Sequence, residues 1–345
     1  MVGADGSAEE HDPPLTAPGA GQLVMMQFGL IGLGSGAAAA LLFASLTSGS
    51  PLSVPLAYLA PLPIMIAALG WSHWAALIGA VTGGLAIWLL FGSLFFVAFF
   101  AGIGLPGWWL GYLAMLARPV GSNGTASLEW YPPGRLVAWA AGLASALIVL
   151  TVLMMGGDAD AFREAMRVAV HEVFRIAASE AGSSGPAALR NPERFVDLLV
   201  VVIPPATAVM ATLTNTVNLW LAGRIVKFSG RLTRPWPAIS EMTLPPLTAA
   251  ALAVAVAVTF IDGMVGIVAG IVMASLLIVY GVLGFAVIHS VTRGMSARGF
   301  VLAGVYAAVL IFGWPILVLC LVGLAEQIFN FRARAALRRG PPAST

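Results

Sequence analysis

Uncharged polar side chains on one apolar segment are the strongest candidates for chemistry in this chain. Thr214, Asn215 and Asn218 follow a pair of prolines within residues 198–223, a run without any charged residue. Thr214 and Asn218 stand four apart and therefore share a helix face, with Asn215 beside it. Amides at membrane depth either tie helices together or line a polar cavity, and the sequence leaves both roles open.

A cavity beside this segment would gain an aromatic wall from Tyr280, which lies in a second charge-free run at residues 263–292. Binding pockets are typically lined by apolar and aromatic side chains with a few polar groups. The sequence therefore predicts Thr214, Asn215, Asn218 and Tyr280 as ligand-binding residues.

Motifs of catalysis and nucleotide binding are absent from the sequence. Lys227 is the single lysine, and no GxxxxGK[ST] loop surrounds it, so the chain cannot bind ATP through a P-loop. The sequence has no HExxH motif, no Cys or His cluster with zinc spacing and no GxSxG nucleophile elbow. We therefore predict no catalytic residue, no metal site and no cofactor, and we expect a protein that is not an enzyme.

Apolar helices must position these residues. Of 345 residues, 59% are hydrophobic and 9% are charged, whereas soluble domains carry about 25% charged residues. No Asp, Glu, Lys or Arg occurs between Asp12 and Arg118, and further charge-free runs cover residues 136–157, 242–261 and 299–325. A membrane-spanning helix needs about 20 mainly apolar residues. The composition excludes a soluble enzyme, a nucleic-acid-binding module and a secreted disulfide scaffold, and it predicts an all-α, polytopic transmembrane helix bundle.

Turn-forming residues divide the apolar runs into about eight to ten spans. Pro61 and Pro63 lie inside the second span, which we expect to be broken or packed within the bundle because proline removes a backbone donor. The last run, residues 299–331, contains Gly313-Trp314-Pro315 and forms either one long kinked helix or a short hairpin. The other predicted helices cover residues 23–47, 54–69, 74–91, 94–117, 135–155, 191–221, 247–261 and 263–289.

The positions of the basic residues favour ten spans. They concentrate at residues 118–135, 224–234, 293–298 and 332–339, and basic residues favour the cytoplasmic side. Ten crossings with a cytoplasmic N-terminus place all four segments there, with the last two spans as a short hairpin. We therefore expect both termini in the cytoplasm and the protein in the bacterial cytoplasmic (inner) membrane.

Two tails and one long insertion lie outside the spans. Residues 1–22 and 336–345 are expected to be disordered tails, on either side of one transmembrane domain at residues 23–335. Residues 156–192 form the insertion, which this topology places outside the cytoplasm. Its residues 159–179 predict an amphipathic helix that lies on the membrane or caps the bundle. The apolar stripe of that helix consists of Phe162, Met166, Val170, Val173 and Ile176.

Small residues spaced four apart predict close helix contacts. Such residues let helix backbones approach each other, either within this bundle or against another membrane subunit. The sequence leaves packing and partner docking open. The residues concerned are Gly32, Gly36, Ala40, Gly107, Gly111, Gly266 and Gly270.

Several apolar motifs carry a resemblance to a known family. They are PLPIMIAALG at 61–70, NLWLAGRIVKFSGRLTRPWP at 218–237 followed by LPP at 244–246, YGVLGFAVIHSVTRG at 280–294 and VGLAEQIFNFRAR at 322–334. Together they resemble the YybS-like family of bacterial membrane proteins, a family of unknown function. The best-defined piece is the closing pattern of Gly323, Leu324, Glu326, Phe329, Phe331 and Arg332.

This resemblance implies a function that the residues alone do not. The YybS-like family is similar, distantly, to membrane substrate-binding components of vitamin transporters, which depend on a separate ATPase and a coupling subunit. It therefore implies a small-molecule binding or transport component without its own ATPase. The implied partners are the lipid bilayer and another membrane subunit or a separate ATPase module, not nucleic acid. The same distant group includes scaffolds for envelope construction, so a scaffold without its own substrate is the alternative.

Overall fold

Nearly all the regular structure of the chain is helical in a computed structural model that describes residues 20–120, 127–181 and 192–334. Residues 1–19 and 335–345, which include most of both predicted tails, lie outside the described residues. The helices are α1 (Ala20–Ala44), α2 (Ser53–Tyr58), α3 (Pro61–Gly70), α4 (His73–Phe91), α5 (Ser93–Phe99), α6 (Leu105–Ala114), α7 (Pro133–Met155), α8 (Ala159–Ala181), α9 (Pro192–Phe228), α10 (Leu247–Val258), α11 (Met264–Val291), α12 (Arg298–Phe312) and α13 (Pro315–Phe329).

The predicted membrane spans are present as helices. Three shorter apolar helices, α10, α12 and α13, accompany seven segments of the described chain that are long and apolar enough to cross a membrane. The prediction of an all-α, polytopic helix bundle is therefore confirmed. The seven long segments are Met25–Ser48, Ser53–Gly70, His73–Phe91, Ser93–Ala114, Pro133–Met155, Glu193–Phe228 and Met264–Val291.

The last apolar run folds as a hairpin rather than as one kinked helix. α12 ends at Gly313, whose φ of 71° lies in the left-handed region that glycine adopts without strain. α12 begins shortly after Arg293, and α13 ends shortly before Arg332. Both arginines donate hydrogen bonds to Ser240, Arg293 to its hydroxyl and Arg332 to its carbonyl oxygen. The start of α12 and the end of α13 therefore meet at the same end of the bundle.

Prolines break one span and leave another continuous. α2 ends at Tyr58 and α3 begins at Pro61, so the second predicted span is broken, and its buried Ile64 packs inside the bundle. α9, by contrast, continues through Pro204 and Pro205. It ends at Phe228, about two turns beyond the predicted end.

A short pair of strands occupies the segment between α6 and α7, where the sequence predicted no helix. β1 (Ala117–Val120) pairs antiparallel with β2 (Ser127–Trp130). Arg118 and Glu129 lie opposite each other in this ladder, and their side chains form an ion pair of 2.7 Å. Cross-strand pairs of opposite charge favour such a ladder.

Small residues bring α1 and α4 into close contact. A Cβ atom on Gly32 would lie 2.6 Å from the Ile78 side chain, and one on Gly36 would lie 2.5 Å from the Gly79 carbonyl oxygen. Ala40, one turn further, is 5% exposed. In this structure the predicted small face of α1 therefore packs within the chain.

The other predicted glycines divide into two groups. Gly107 and Gly111 of α6 face α3, and a Cβ atom on either would press against an α3 side chain. Gly266 faces the backbone of the turn that precedes α11, and a Cβ atom on Gly270 would meet no atom within 4 Å. Of these four glycines, Gly107 and Gly111 therefore lie at a helix–helix contact, and Gly266 and Gly270 do not.

The amphipathic helix α8 packs onto the bundle as a cap. Phe162 is 1% exposed and packs against α7, α9 and α11, and Val170 packs against α9. The predicted stripe needs one correction, because Val173 is 64% exposed. Phe174 takes its place against α9, since steps of four residues from Phe162 keep to the packed face. The side chain of Ile176 lies outside the described residues.

Candidate functional site

One of the two predicted amides of α9, Asn218, bonds to the end of α2. The Asn218 side-chain nitrogen donates hydrogen bonds to the carbonyl oxygens of Tyr58 at 2.7 Å and Thr214 at 2.8 Å. The first bond ties α9 to the end of α2, next to the proline break. In the part of the chain that the structure describes, the Oδ1 atoms of Asn215 and Asn218 are buried and accept no hydrogen bond.

Tyr280 lies on α11 and bonds in a different direction. Its hydroxyl is 3.0 Å from the Thr248 hydroxyl on α10, and the residue is fully buried. Asn218 bonds toward α2, so the described contacts do not join the predicted binding residues into one hydrogen-bonded group. Their role in ligand binding stays a prediction.

A cavity of about 460 Å³ lies between α9 and α11, the two helices that carry the predicted binding residues. None of the four predicted residues is among those that line it within the described chain. α6, α7, α12, α13 and the segment after α9 complete its walls. The lining residues are Leu110, Pro133, Leu136, Val137, Ala140, Leu213, Thr216, Val217, Leu219, Trp220, Arg234, Trp236, Pro237, Ala238, Ile239, Met242, Ile278, Val282, Phe285, Tyr306 and Ile316.

Helix periodicity explains why other residues line the cavity. Leu213, Thr216 and Trp220 follow each other at steps of three and four residues and form one face of α9. Asn215 and Asn218 fall on a different face, where Asn218 satisfies the Tyr58 carbonyl. The Asn218 amide therefore marks the contact of α9 with the end of α2, and the cavity face of α9 is largely apolar.

Arg234 is the charged residue in the cavity lining. It lies beyond α9, is 4% exposed, and donates hydrogen bonds to the carbonyl oxygens of Ala114 at 2.6 Å and Tyr131 at 2.8 Å. Its Nε atom is buried without a partner, and among the described residues no acidic side chain forms an ion pair with it. Burial lowers the pKa of the Arg234 guanidinium, although an arginine stays charged in proteins.

The cavity reaches a surface that faces outward from the bundle. Val217 and Trp220 of α9 are 52% and 49% exposed, and Tyr306 of α12 is 40% exposed. Exposed apolar side chains on a membrane-spanning helix contact lipid chains. The mouth of the cavity therefore lies between α9 and α12.

The walls of this cavity all belong to a region with known relatives. A family model described as "Predicted membrane protein (DUF2232)" matches residues 37–326. The chain belongs to the DUF2232 family. No curated protein and no solved structure matches it. DUF2232 membership establishes a multi-pass membrane protein, and the family description names neither YybS-like proteins nor vitamin transporters.

The last matched residue of the DUF2232 region takes part in fixing the cavity floor, residues 234–242. Glu326 is 4% exposed and accepts a 2.8 Å hydrogen bond from Nε of Arg332. The terminal nitrogens of Arg332 donate to the carbonyl oxygens of Ser240 and Met242, both at 2.8 Å. The closing sequence pattern of the chain therefore holds the floor in place.

Trp236 completes the floor of the DUF2232 cavity against α9. Its indole ring lies on Gly223, where any Cβ atom would overlap the ring. The sequence analysis counted Arg234 among the basic residues that indicate topology and within the motif at 218–237, but did not predict its burial. The sequence signal that was available is the run Arg-Pro-Trp-Pro at residues 234–237. Two prolines restrict the backbone beside Arg234, which favours an ordered segment at that charge.

Proposed function

We propose that this protein is a non-enzymatic, membrane-embedded binding component for a small molecule that occupies the cavity between α9 and α11. The volume of about 460 Å³ falls within the range of about 300–1,000 Å³ typical of ligand pockets. The lining also has the composition of such pockets, with many apolar and aromatic side chains and few polar groups.

Arg234 is the observation that carries this proposal. A buried charge is unfavourable unless it is paired and hydrogen-bonded. The two carbonyl oxygens that bind Arg234 are neutral, so its positive charge has no counter-charge among the described residues and lies beside an open cavity. A bound ligand would supply that counter-charge.

A role in transport is supported by the family resemblance and by the absence of a P-loop motif. The resemblance to vitamin-transporter binding components favours uptake driven by a separate ATPase module, which agrees with the lack of a P-loop in the sequence. The basic segments favour cytoplasmic termini in the bacterial inner membrane. The cavity floor, between α9 and α10, then belongs to the cytoplasmic half of the protein.

The alternative function, a scaffold without a substrate, has weaker support. It predicts a free small-residue face for docking a membrane partner. Gly32 and Gly36 are occupied by α4, and Gly107 and Gly111 are occupied by α3, so among the predicted glycines Gly270 alone stays free of contacts in the part of the chain that the structure describes. Co-purification of a stoichiometric membrane protein in mild detergent would favour the scaffold.

Ligand-dependent thermal stabilisation of the purified protein tests the proposal. We expect compounds from a broad library of metabolites and lipids to raise the melting temperature of the wild type. Val217→Trp fills the cavity mouth and should abolish the effect. Val201→Trp places the same side chain on an exposed α9 position outside the cavity lining and should preserve it. A library without any stabilising compound, or equal stabilisation of both variants, would refute the proposal.

A further inference from the structure

We infer that the ligand is a single-chain amphiphile with an anionic head group, a carboxylate or a phosphate, that enters the cavity from the bilayer. This inference rests on the proposed function and adds the chemical class of the ligand. It follows from four properties of the cavity, namely the charge of Arg234, the apolar walls, the volume and the position of the mouth.

The charge selects an anionic head group. Arg234 combines a positive charge with an unpartnered Nε–H, and both terminal nitrogens are already engaged by carbonyl oxygens. Charge-assisted hydrogen bonds to a carboxylate or phosphate are stronger than bonds between neutral groups. A cationic head group would be repelled, and a neutral one would leave the charge uncompensated.

The walls select an apolar tail. Apart from Arg234, the lining consists of uncharged residues, and its polar side chains are few. The hydroxyl groups of a sugar or a nucleotide would lose their hydrogen bonds to water in this cavity. Wall residues such as Ile278, Val282 and Ile316 offer no hydrogen bonds in exchange. Hydrocarbon avoids that penalty and buries apolar surface.

The volume suits a tail of one chain. A water molecule in the liquid occupies about 30 Å³, and a methylene group is of similar size. A cavity of about 460 Å³ therefore has room for at least about fifteen such groups. This number is enough for one medium-length chain with its head group.

The position of the mouth sets the route of entry. α12 forms one side of the mouth, and none of its side chains is buried. It contacts α11 through Tyr306, which stacks on Phe285 at 4.9 Å and lies 3.0 Å from His289 Nε2. Because α12 is held by few contacts, an amphiphile can pass between α9 and α12 without disturbing the buried core.

Direct binding of radiolabelled myristate tests this inference. The full-length protein is placed in phosphatidylcholine nanodiscs, and saturable binding is measured by scintillation proximity. We expect dodecyl phosphate to compete with myristate. Tetradecanol, tetradecyltrimethylammonium and inorganic phosphate should not compete. Competition by inorganic phosphate at matched concentration would indicate a free-anion site and overturn the amphiphile.

Variants locate the bound myristate. Arg234→Gln keeps hydrogen-bond donors and loses the charge, and we expect at least tenfold weaker binding. Arg234→Lys restores the charge and should recover most of the affinity. Arg231→Gln removes the same charge at an exposed site, where Arg231 stacks on Trp71 at 4.4 Å, and should bind as the wild type does. Val217→Trp should block binding.

The outcomes separate this inference from the proposed function. If neutral or cationic compounds bind with sensitivity to Val217→Trp and myristate does not, the anionic class is wrong while the binding function stands. If no compound binds saturably, the proposed function fails as well. If myristate binds equally to the wild type, Arg234→Gln and Val217→Trp, it binds outside the cavity, and the inference is refuted. If the Arg234→Gln variant does not fold, myristate binding to Arg234→Lys and to Val217→Trp still tests the inference.

Discussion

The buried ion pair between Glu326 and Arg332 provides a quantitative test of how the cavity floor is held. The two side chains are 5% and 13% exposed and lie 2.8 Å apart. Arg332→Met removes one partner and leaves the Glu326 carboxylate buried without its counter-charge. Breaking a buried pair in this way costs about 3–5 kcal/mol. The variant should therefore lose about 3–5 kcal/mol of its free energy of unfolding.

The double variant separates the charge from the other bonds of Arg332. Glu326→Leu in the Arg332→Met background removes the unpaired charge. It leaves the carbonyl oxygens of Ser240 and Met242 without donors, and it leaves the backbone N–H of residue 332, which donates to Glu326 Oε2 at 3.2 Å, without its acceptor. Each lost hydrogen bond of this kind is worth about 1 kcal/mol, so the double variant should be about 3 kcal/mol less stable than the wild type. Glu326→Leu is thus stabilising in the variant background by up to about 2 kcal/mol, although it is destabilising in the wild type.

Reversible unfolding by titration with sodium dodecyl sulfate, followed by tryptophan fluorescence, measures these free energies. Arg334→Met, which removes an exposed arginine of the same segment, is the matched control and should change stability by less than about 0.5 kcal/mol. Equal effects of Glu326→Leu in both backgrounds, within about 0.5 kcal/mol, would show that the two residues are not coupled and would refute the reasoning.

Three further predictions concern helix contacts and the floor. Asn218→Leu removes the donor to the Tyr58 carbonyl oxygen and should lower the free energy of unfolding by about 0.5–1.5 kcal/mol, while ligand-dependent stabilisation persists. Loss of stabilisation with the fold intact would instead place the amide in the binding site. Gly36→Leu overpacks α1 against α4 and should lower the free energy of unfolding by about 1–3 kcal/mol or more. Gly270→Leu should change the free energy of unfolding by no more than about 0.5 kcal/mol. Equal melting temperatures of the two variants would contradict the close contact between α1 and α4. Gly223→Val should displace Trp236 and abolish ligand binding, as measured by thermal stabilisation, and unchanged binding would show that the floor tolerates the shift.

The sequence predicted the helices because membrane insertion leaves a simple signal. Charge-free runs and their breakers located the spans, and Gly313 with its neighbours located the final hairpin. The β1–β2 pair was missed because it depends on the meeting of Arg118 and Glu129 across a turn. The end of α9 was placed too early because basic residues near Lys227 resemble a membrane boundary, although a helix can continue beyond it.

The candidate site shows what a sequence pattern does not report. The sequence predicted binding residues on the α9 and α11 segments, and a cavity lies between these helices, but its lining consists of other residues. A polar side chain in a membrane bundle bonds to a group that lacks a partner, and for Asn218 that group is the Tyr58 carbonyl oxygen. Burial of Arg234 depends on carbonyl groups more than 100 residues away in sequence, and no local pattern reports such contacts.

The length of α9 has a mechanical consequence. Its 37 residues extend over roughly 55 Å, which exceeds the hydrocarbon thickness of about 30 Å. Near its first turns, Asp197 is joined to Arg167 of the α8 cap by an ion pair of 2.7 Å, and near its end it supports Trp236. One helix thus connects the cap to the cavity floor. Its resistance to bending is lowest at Pro204-Pro205, where two backbone donors are missing, so the part of α9 that holds the cap can bend relative to the part that carries Trp236.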